Sequence, residues 1–243
     1  MAPSAIPSRA VAPEAMRRAR GPVRYAAILF DFGGTLDACG VPWKERFASA
    51  FAAEGVTPPA AVFDRAFYDA DDALVGAVPG LGLVETVERL ARGVAANLGV
   101  SDAALAPRCA ARFVADARPC LAESANLLAR LARTYRLGIV SNFYGNLDAV
   151  LEDSGLAPHV SACADSAVVG ATKPDAAIFR AALEKLAVAP RDALFVGDSA
   201  RRDMAGAKAL GMPHVLLAAN GSAVCCPGDR IIPRLSSLLE ILA

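Results

Sequence analysis

The sequence predicts an α/β protein: a parallel sheet wound with helices on both faces, interrupted after its first strand by an all-helical insert. Three observations predict it. Short apolar runs without polar alternation, "YAAILF" (25–30), "RLGIV" (136–140), "DALFV" (192–196) and "HVLLA" (214–218), suit strands covered on both faces. Stretches of helical period lie between them, and strand–helix alternation builds a parallel sheet. Between residues 38 and 118 no strand-like run occurs, only helical stretches near 43–54, 60–74, 82–98 and 102–117, parted by "GVTPP", "VGAVPG" and "GVSD".

The elements follow in chain order. Residues 1–21, rich in Pro, Ala and Arg and without an apolar segment of signal-peptide type, read as a disordered lead-in. The first strand follows and runs into Asp31. After the insert, "AESANLLARLARTY" (122–135) sets Leu127, Leu128 and Leu131 on one side of a helix. "NLDAVLEDSGL" (146–156) ends near Gly155, a natural helix terminator. "DAAIFRAALEKLAV" (175–188) starts after Pro174 with Ile178, Phe179, Leu183 and Leu186 at helical spacing, and "RRDMAGAKALG" (201–211) closes on Gly211. Residues 235–242 form a last helix. The expected division is therefore a core of 22–37 and 119–243 and a cap of 38–118.

Composition narrows the function. With 243 residues, 55% of them hydrophobic, the chain can bury a sizeable core. Twenty-five basic and 25 acidic side chains cancel, so no field draws the chain to nucleic acid or an anionic membrane. No apolar stretch approaches the roughly 20 residues of a spanning helix. Six scattered cysteines without a C-x-x-C pair read as reduced thiols of a cytoplasmic protein, and the vicinal Cys225-Cys226 as ordinary loop residues rather than a soft-metal site. Two histidines, His159 and His214, give little basis for a histidine-based metal site or a Ser-His triad.

The residues that end the strands carry the chemistry. In an open parallel sheet, ligands bind beyond the carboxyl ends of the strands, which brings Asp31, Ser141-Asn142 and Asp198 to one crevice. Two carboxylates there repel each other unless a proton or a cation intervenes. Mg²⁺, which takes carboxylates, backbone carbonyls, water and phosphate oxygens, suits the set. Gly33 and Gly34 let the backbone after Asp31 curl back to offer a carbonyl and amide donors. With a cation and a lysine at hand, a carboxylate can attack phosphorus.

On these motifs the chain resembles the haloacid dehalogenase-like hydrolase superfamily with a helical cap after the first strand. "DFGGTL" is similar to its first motif except at the third position, "IVSN" to the second, "TKPD" to the third and "VGDSARRDMAGA" to the fourth. The resemblance runs from near Val23 to the C-terminus. It implies a three-layer Rossmann-like core and Mg²⁺-dependent hydrolysis of a small phosphorylated metabolite through an aspartyl phosphate, by a monomer or homodimer. By position it implies Asp31 as nucleophile and metal ligand, the Gly33 carbonyl and Asp198 as further ligands, and Asp203 on the metal or its water. Ser141, Asn142 and Lys173 then bind the phosphoryl group, with Gly34 and Thr35 shaping the first loop.

The departure is Gly33, where phosphatases of the superfamily carry a second aspartate that protonates the leaving alcohol. Such help is worth about 10²–10⁴-fold. Three readings follow: a phosphoryl hydrolase in which Asp37 supplies the acid, carbon–phosphorus cleavage with Lys44 as a Schiff-base amine (the retained "GDS" argues against carbon–halogen cleavage), or a protein that binds Mg²⁺ and phosphate without turnover. On the first reading Gly33→Asp raises phosphatase activity. In the cap, "VPWKERF" (41–47) sets Trp43 and Phe47 toward the cap's own core, with Arg46 free to bind a substrate carboxylate or second phosphate. "YDADD" (68–72) reads as a solvated helix face.

Overall fold

The computed structural model describes residues 25–218 and 230–243. The expectations for residues 1–21 and for Cys225-Cys226 lie outside the described residues. Among the described residues six parallel strands form one sheet: β1 (Ala27–Phe30), β2 (Arg136–Ser141), β3 (Ala162–Asp165), β4 (Ala193–Gly197), β5 (His214–Leu217) and β6 (Arg230–Ile232), in the order β3-β2-β1-β4-β5-β6. The chain thus builds outward from β1 in one direction and then in the other, which puts the topological switch between β1 and β4.

The strands lack alternation because both faces are covered. Successive side chains of a strand point to opposite faces. Ile28 and Phe30 join one buried cluster with Leu137, Ile139, Leu194 and Val196, while Ala27 and Leu29 join the other with Val140, Ala193 and Phe195. The first face is covered by α4 (Leu105–Leu131) and α5 (Leu147–Asp153), and Leu238 of the closing α9 (Leu238–Leu242) joins the same cluster. The second is covered by α7 (Ala176–Leu186) and α8 (Ala205–Ala209). A short α6 (Ser166–Val169) follows β3. A π-helical turn, Ala200–Met204, leads from the end of β4 into α8.

The insert holds α1 (Trp43–Ala53), α2 (Ala60–Leu74) and α3 (Leu83–Asn97), close to the expected spans. Its fourth helix differs. The stretches expected at 102–117 and 122–135 are one continuous helix, α4, so the boundary drawn at 118/119 falls inside it, at Pro119. The buried stripe Phe113, Ala117, Leu121, Ser124, Leu128 never breaks, and burial along it outweighs the hydrogen bond that the proline removes. The insert also shares the core of the first sheet face: Phe47, Phe51, Phe63, Phe67 and Phe113 belong to the cluster that contains Ile28 and Phe30.

Strands β3 and β6 were not predicted. "ACAD" and "RII" are too short and too rich in small or charged residues to register as apolar runs.

Candidate active site

Register places the chemistry. Phe30 pairs with Ile139 on one side and Val196 on the other, so Asp31, Ser141 and Asp198 leave the sheet at its carboxyl end beside the switch point. The Asp31 amide donates to the Val196 carbonyl at 2.9 Å, which keeps β1 paired to the residue that bears the carboxylate.

Asp31 Oδ1 accepts a hydrogen bond from Ser141 Oγ at 2.8 Å and lies 2.7 Å from Lys173 Nζ. Lys173 also meets Asp203 Oδ1 at 2.8 Å. These side chains are almost wholly buried, with Lys173 4% and Asp203 0% exposed, so water screens the charges little. Asp203 is held from behind by the Ser199 amide, which donates to its Oδ2 at 3.0 Å. Thr35 Oγ1 donates a long bond, 3.4 Å, to Asp198 Oδ1. The structure therefore brings together five of the side chains the motifs singled out, Asp31, Ser141, Lys173, Asp198 and Asp203, with Thr35 at their edge.

Their charges do not balance. Asp31, Asp198 and Asp203 each present an oxygen within 4.8 Å of the others, against one lysine. Burial pushes the Asp198 carboxyl up to about 8, aided by repulsion from Asp31 and Asp203. Burial likewise raises Asp203 to about 6, partly offset by Lys173. Burial opposes the Lys173 charge, but Asp203 and Asp31 outweigh it and hold the amine above its ordinary value. Three hard oxygen donors of excess negative charge are a donor set that fits a small divalent cation, whose charge would offset the burial and repulsion that raise the carboxyls.

Gly34 completes this wall. Its φ of +89° is open to glycine, and a Cβ there would stand 2.3 Å from Asp198 Oδ2. Its amide donates to Asp37 Oδ1 at 2.8 Å, which fixes the turn. Gly33 has a different neighbour. A Cβ on it would meet Trp43 Nε1 at 3.2 Å and Cδ1 at 3.4 Å, because the indole of the first cap helix leans over it. Trp43 stacks edge-on to Phe113 (5.0 Å) and Phe143 (5.8 Å), so the ring joins cap to core rather than lying within the cap alone.

Several expectations change. Asp37, expected to supply the acid, is fully buried and its carboxylate accepts from the Gly34 amide, Trp43 Nε1 (2.7 Å) and Arg46 (2.8 Å). Burial raises its pKa against the pull of Arg46, yet every bond it makes is an accepted one, so it braces the loop. Arg46, expected to bind substrate, is spent on Asp37, on the Phe113 carbonyl at 2.9 Å and on the Phe113 ring, 3.6 Å from its centroid. The Asn142 side chain accepts from the Lys173 amide at 2.7 Å and donates to its carbonyl at 3.3 Å, so it positions the lysine. Lys44 pairs with Asp64 at 2.9 Å on the cap. The hydrogen bond to Asp64 raises its pKa, the wrong direction for a Schiff-base amine.

Two roles were missed. Asp165, at the end of β3, accepts from the amides of Gly145 (2.8 Å), Leu147 (3.1 Å) and Ala167 (2.9 Å), and so folds the loop that follows Ser141. Its signal was a carboxylate at the end of a run too short to read as a strand. Asp71, taken as part of a solvated face, accepts from the Tyr144 hydroxyl and links α2 to that same loop. Burial raises its pKa. No spacing rule connects positions 71 and 144.

The profile of the haloacid dehalogenase-like hydrolases matches residues 25–211. Haloacid dehalogenase-like hydrolase domain-containing protein 3 of Mus musculus is 41% identical over 115 residues, 45% of this chain and 46% of the mouse protein, so that match spans about half of each. Phosphoglycolate phosphatase of Rhodospirillum rubrum is 32% identical over 200 residues, 79% of this chain and 78% of that enzyme. Among solved structures, the HAD-hydrolase YfnB of Bacillus subtilis, bound to magnesium, superimposes with a TM-score of 0.59 over 90% of this chain and 99% of that one, at 23% identity.

Proposed function

The chain belongs to the haloacid dehalogenase-like hydrolases, and we propose that within them it is a phosphatase acting on a small phosphorylated metabolite through Asp31. The observation that carries this reading is the convergence of Ser141 and Lys173 on one oxygen of Asp31, with Asp198 and Asp203 alongside. The two donors on Oδ1 fix the plane of the carboxylate. Lys173 neutralises part of the charge that develops when an anionic phosphoryl group approaches an anionic nucleophile.

Asp31, Asp198 and Asp203, with the Gly33 carbonyl, would hold Mg²⁺. When bound, that ion supplies Lewis-acid stabilisation of the phosphoryl oxygens. The carboxylate of Asp31 attacks phosphorus, the P–O bond to the leaving group breaks, and the leaving oxygen takes its proton from water. Water then attacks the aspartyl phosphate, releasing inorganic phosphate and the free carboxylate. With no titratable group at Gly33 and with Asp37 engaged by three donors, leaving groups of low basicity are favoured, such as acyl and aryl phosphates. The likeness to a phosphoglycolate phosphatase makes phosphoglycolate a first member of a metabolite panel.

The test is turnover of p-nitrophenyl phosphate with Mg²⁺ and with EDTA. Turnover that EDTA abolishes is expected. No turnover while Mg²⁺ still raises the melting temperature would leave a binding protein instead. Because Asp198 carries its proton up to about pH 8 without a cation, Mg²⁺ should bind more tightly as pH rises to that value. Calorimetric titration in two buffers of different ionisation enthalpy should show protons released at pH 7.

The same geometry reverses the expectation for Gly33→Asp. A Cβ there would stand 3.2 Å from the Trp43 indole nitrogen, so the ring must give by a few tenths of an ångström, which strains the Trp43–Asp37 bond beside the nucleophile loop. We expect Gly33→Asp to lower kcat by about tenfold, within the cost of misplacing reacting groups by an ångström or less. In Gly33→Asp combined with Trp43→Ala the loss should be smaller, which steady-state assays of the two variants would read.

A further inference from the structure

Two cysteines outside the catalytic cluster sit where the insert joins the core. Cys39 lies in the first connection, in a left-handed turn with φ +51° between the nucleophile loop and α1. Cys120 lies in the second connection, one residue after the proline of α4. Their sulfurs stand 2.6 Å apart, about 0.6 Å longer than a disulfide bond, although 81 positions separate them. Ser124, one turn along α4 from Cys120, donates to the Leu36 carbonyl at 2.7 Å, so this face of the helix already grips the first connection. Both thiols are partly exposed and both are free. Every residue of the insert between them would be enclosed by a bond between these two atoms.

We propose that Cys39 and Cys120 form an oxidisable dithiol, converted by a small disulfide of the glutathione class into a cross-link that ties the two connections of the cap together. One thiolate of the pair attacks a sulfur of the small disulfide and expels one small thiolate, leaving a mixed disulfide on the protein. The second cysteine attacks the protein-bound sulfur of that mixed disulfide and expels the other small thiolate. The two protein protons end on the two small thiols, so the protein is oxidised by two electrons and the small disulfide reduced by two. Burial, the bond to Cys120 and the nearby Glu123 and Asp37 push the Cys39 thiol up to about 12, so little of it is thiolate at neutral pH and the reaction is slow.

A cap that swings on its core must re-turn residues 38–42 and bend α4 near Pro119, where one helical hydrogen bond is missing. A bond across these two points removes that freedom. The inference rests on the geometry of the two connections and not on the phosphatase reading.

The test uses the full chain, reduced and then incubated for hours with oxidised glutathione, blocked with N-ethylmaleimide and digested without reductant. Mass spectrometry should find a peptide pair joined through Cys39 and Cys120, with two of the six thiols lost and both restored by dithiothreitol. Cys120→Ser and Cys39→Ser should each abolish that pair. Hydrogen exchange of residues 38–42 should be slower in the cross-linked protein than in the reduced one. Cys39 and Cys120 recovered as separate maleimide or glutathione adducts would overturn the pairing. A cross-link that leaves exchange in 38–42 unchanged would overturn the lock.

Discussion

Asp31→Asn is expected to lower turnover of p-nitrophenyl phosphate by roughly 10⁴–10⁶-fold, the scale on which an enzyme loses its nucleophile. The substitution keeps shape and volume, and an amide oxygen can still accept from Ser141 and Lys173. Folding should therefore survive. In the absence of a cation, stability should change little, because the loss of the Asp31–Lys173 ion pair is offset as Asp198 loses a cause of its raised pKa. Thermal unfolding without Mg²⁺, alongside the assay, separates the two effects. Turnover near that of the parent would remove Asp31 from the reaction. A collapse of stability would mean that the carboxylate is structural.

Lys173→Ala carries the second large effect, and here chemistry and stability fall together. Truncating one partner of a buried ion pair costs about 3–5 kcal/mol, because the charge left behind is unpaired. Lys173 has two such partners, Asp31 and Asp203, both almost fully buried. Turnover should fall by about 10²–10³-fold, the cost of removing a donor that meets developing charge.

The pH dependence has a definite sign. The lysine pKa is raised above 10.5, so its stabilising contribution is complete at neutral pH and is lost only as pH rises through the folded value. Toward acid, the penalty of the variant should shrink as its carboxylates take up protons, Asp203 at a pH above the value of about 6 it has beside Lys173. Melting curves of parent and variant between pH 5 and pH 8 measure this. Mg²⁺ should recover part of the stability that the variant loses, since a cation at Asp31, Asp198 and Asp203 replaces some of the missing charge. A variant as stable as the parent at neutral pH would mean that the three acids tolerate one another without Lys173.

Much of the architecture could be read before any coordinate. Four of six strands are runs of Ile, Val, Leu and Phe, and such runs have few other uses in a chain of this size. The insert was legible by contrast, as a stretch of helical period with no such run. The two strands that escaped, Ala162–Asp165 and Arg230–Ile232, lie toward the sheet edges and gain their status from the neighbour they pair with. The continuity of α4 through Pro119 was illegible for a related reason. Propensity argues for a break there, and only burial of the stripe on both sides of the proline argues against it.

The site divides along the same line. Asp31, Ser141 and Asp198 were placed together because each follows the end of a strand and strand order brings such ends to one crevice, whereas Lys173 and Asp203 were named from the resemblance of "TKPD" and "VGDSARRDMAGA" to family motifs. Asp37 was assigned to acid catalysis and Arg46 to substrate because a loop acid and a helix arginine look available in a sequence. Their availability depends on what approaches from elsewhere in the chain, and here each meets the other. The sequence by itself determined which groups lie at the carboxyl edge of the sheet, since backbone pairing follows from local apolar pattern and connection length. Only the tertiary structure decided that an indole occupies the space beside Gly33 and that Cys39 faces Cys120. Side-chain contacts between distant segments depend on how the cap seats on the core, and no local pattern encodes that.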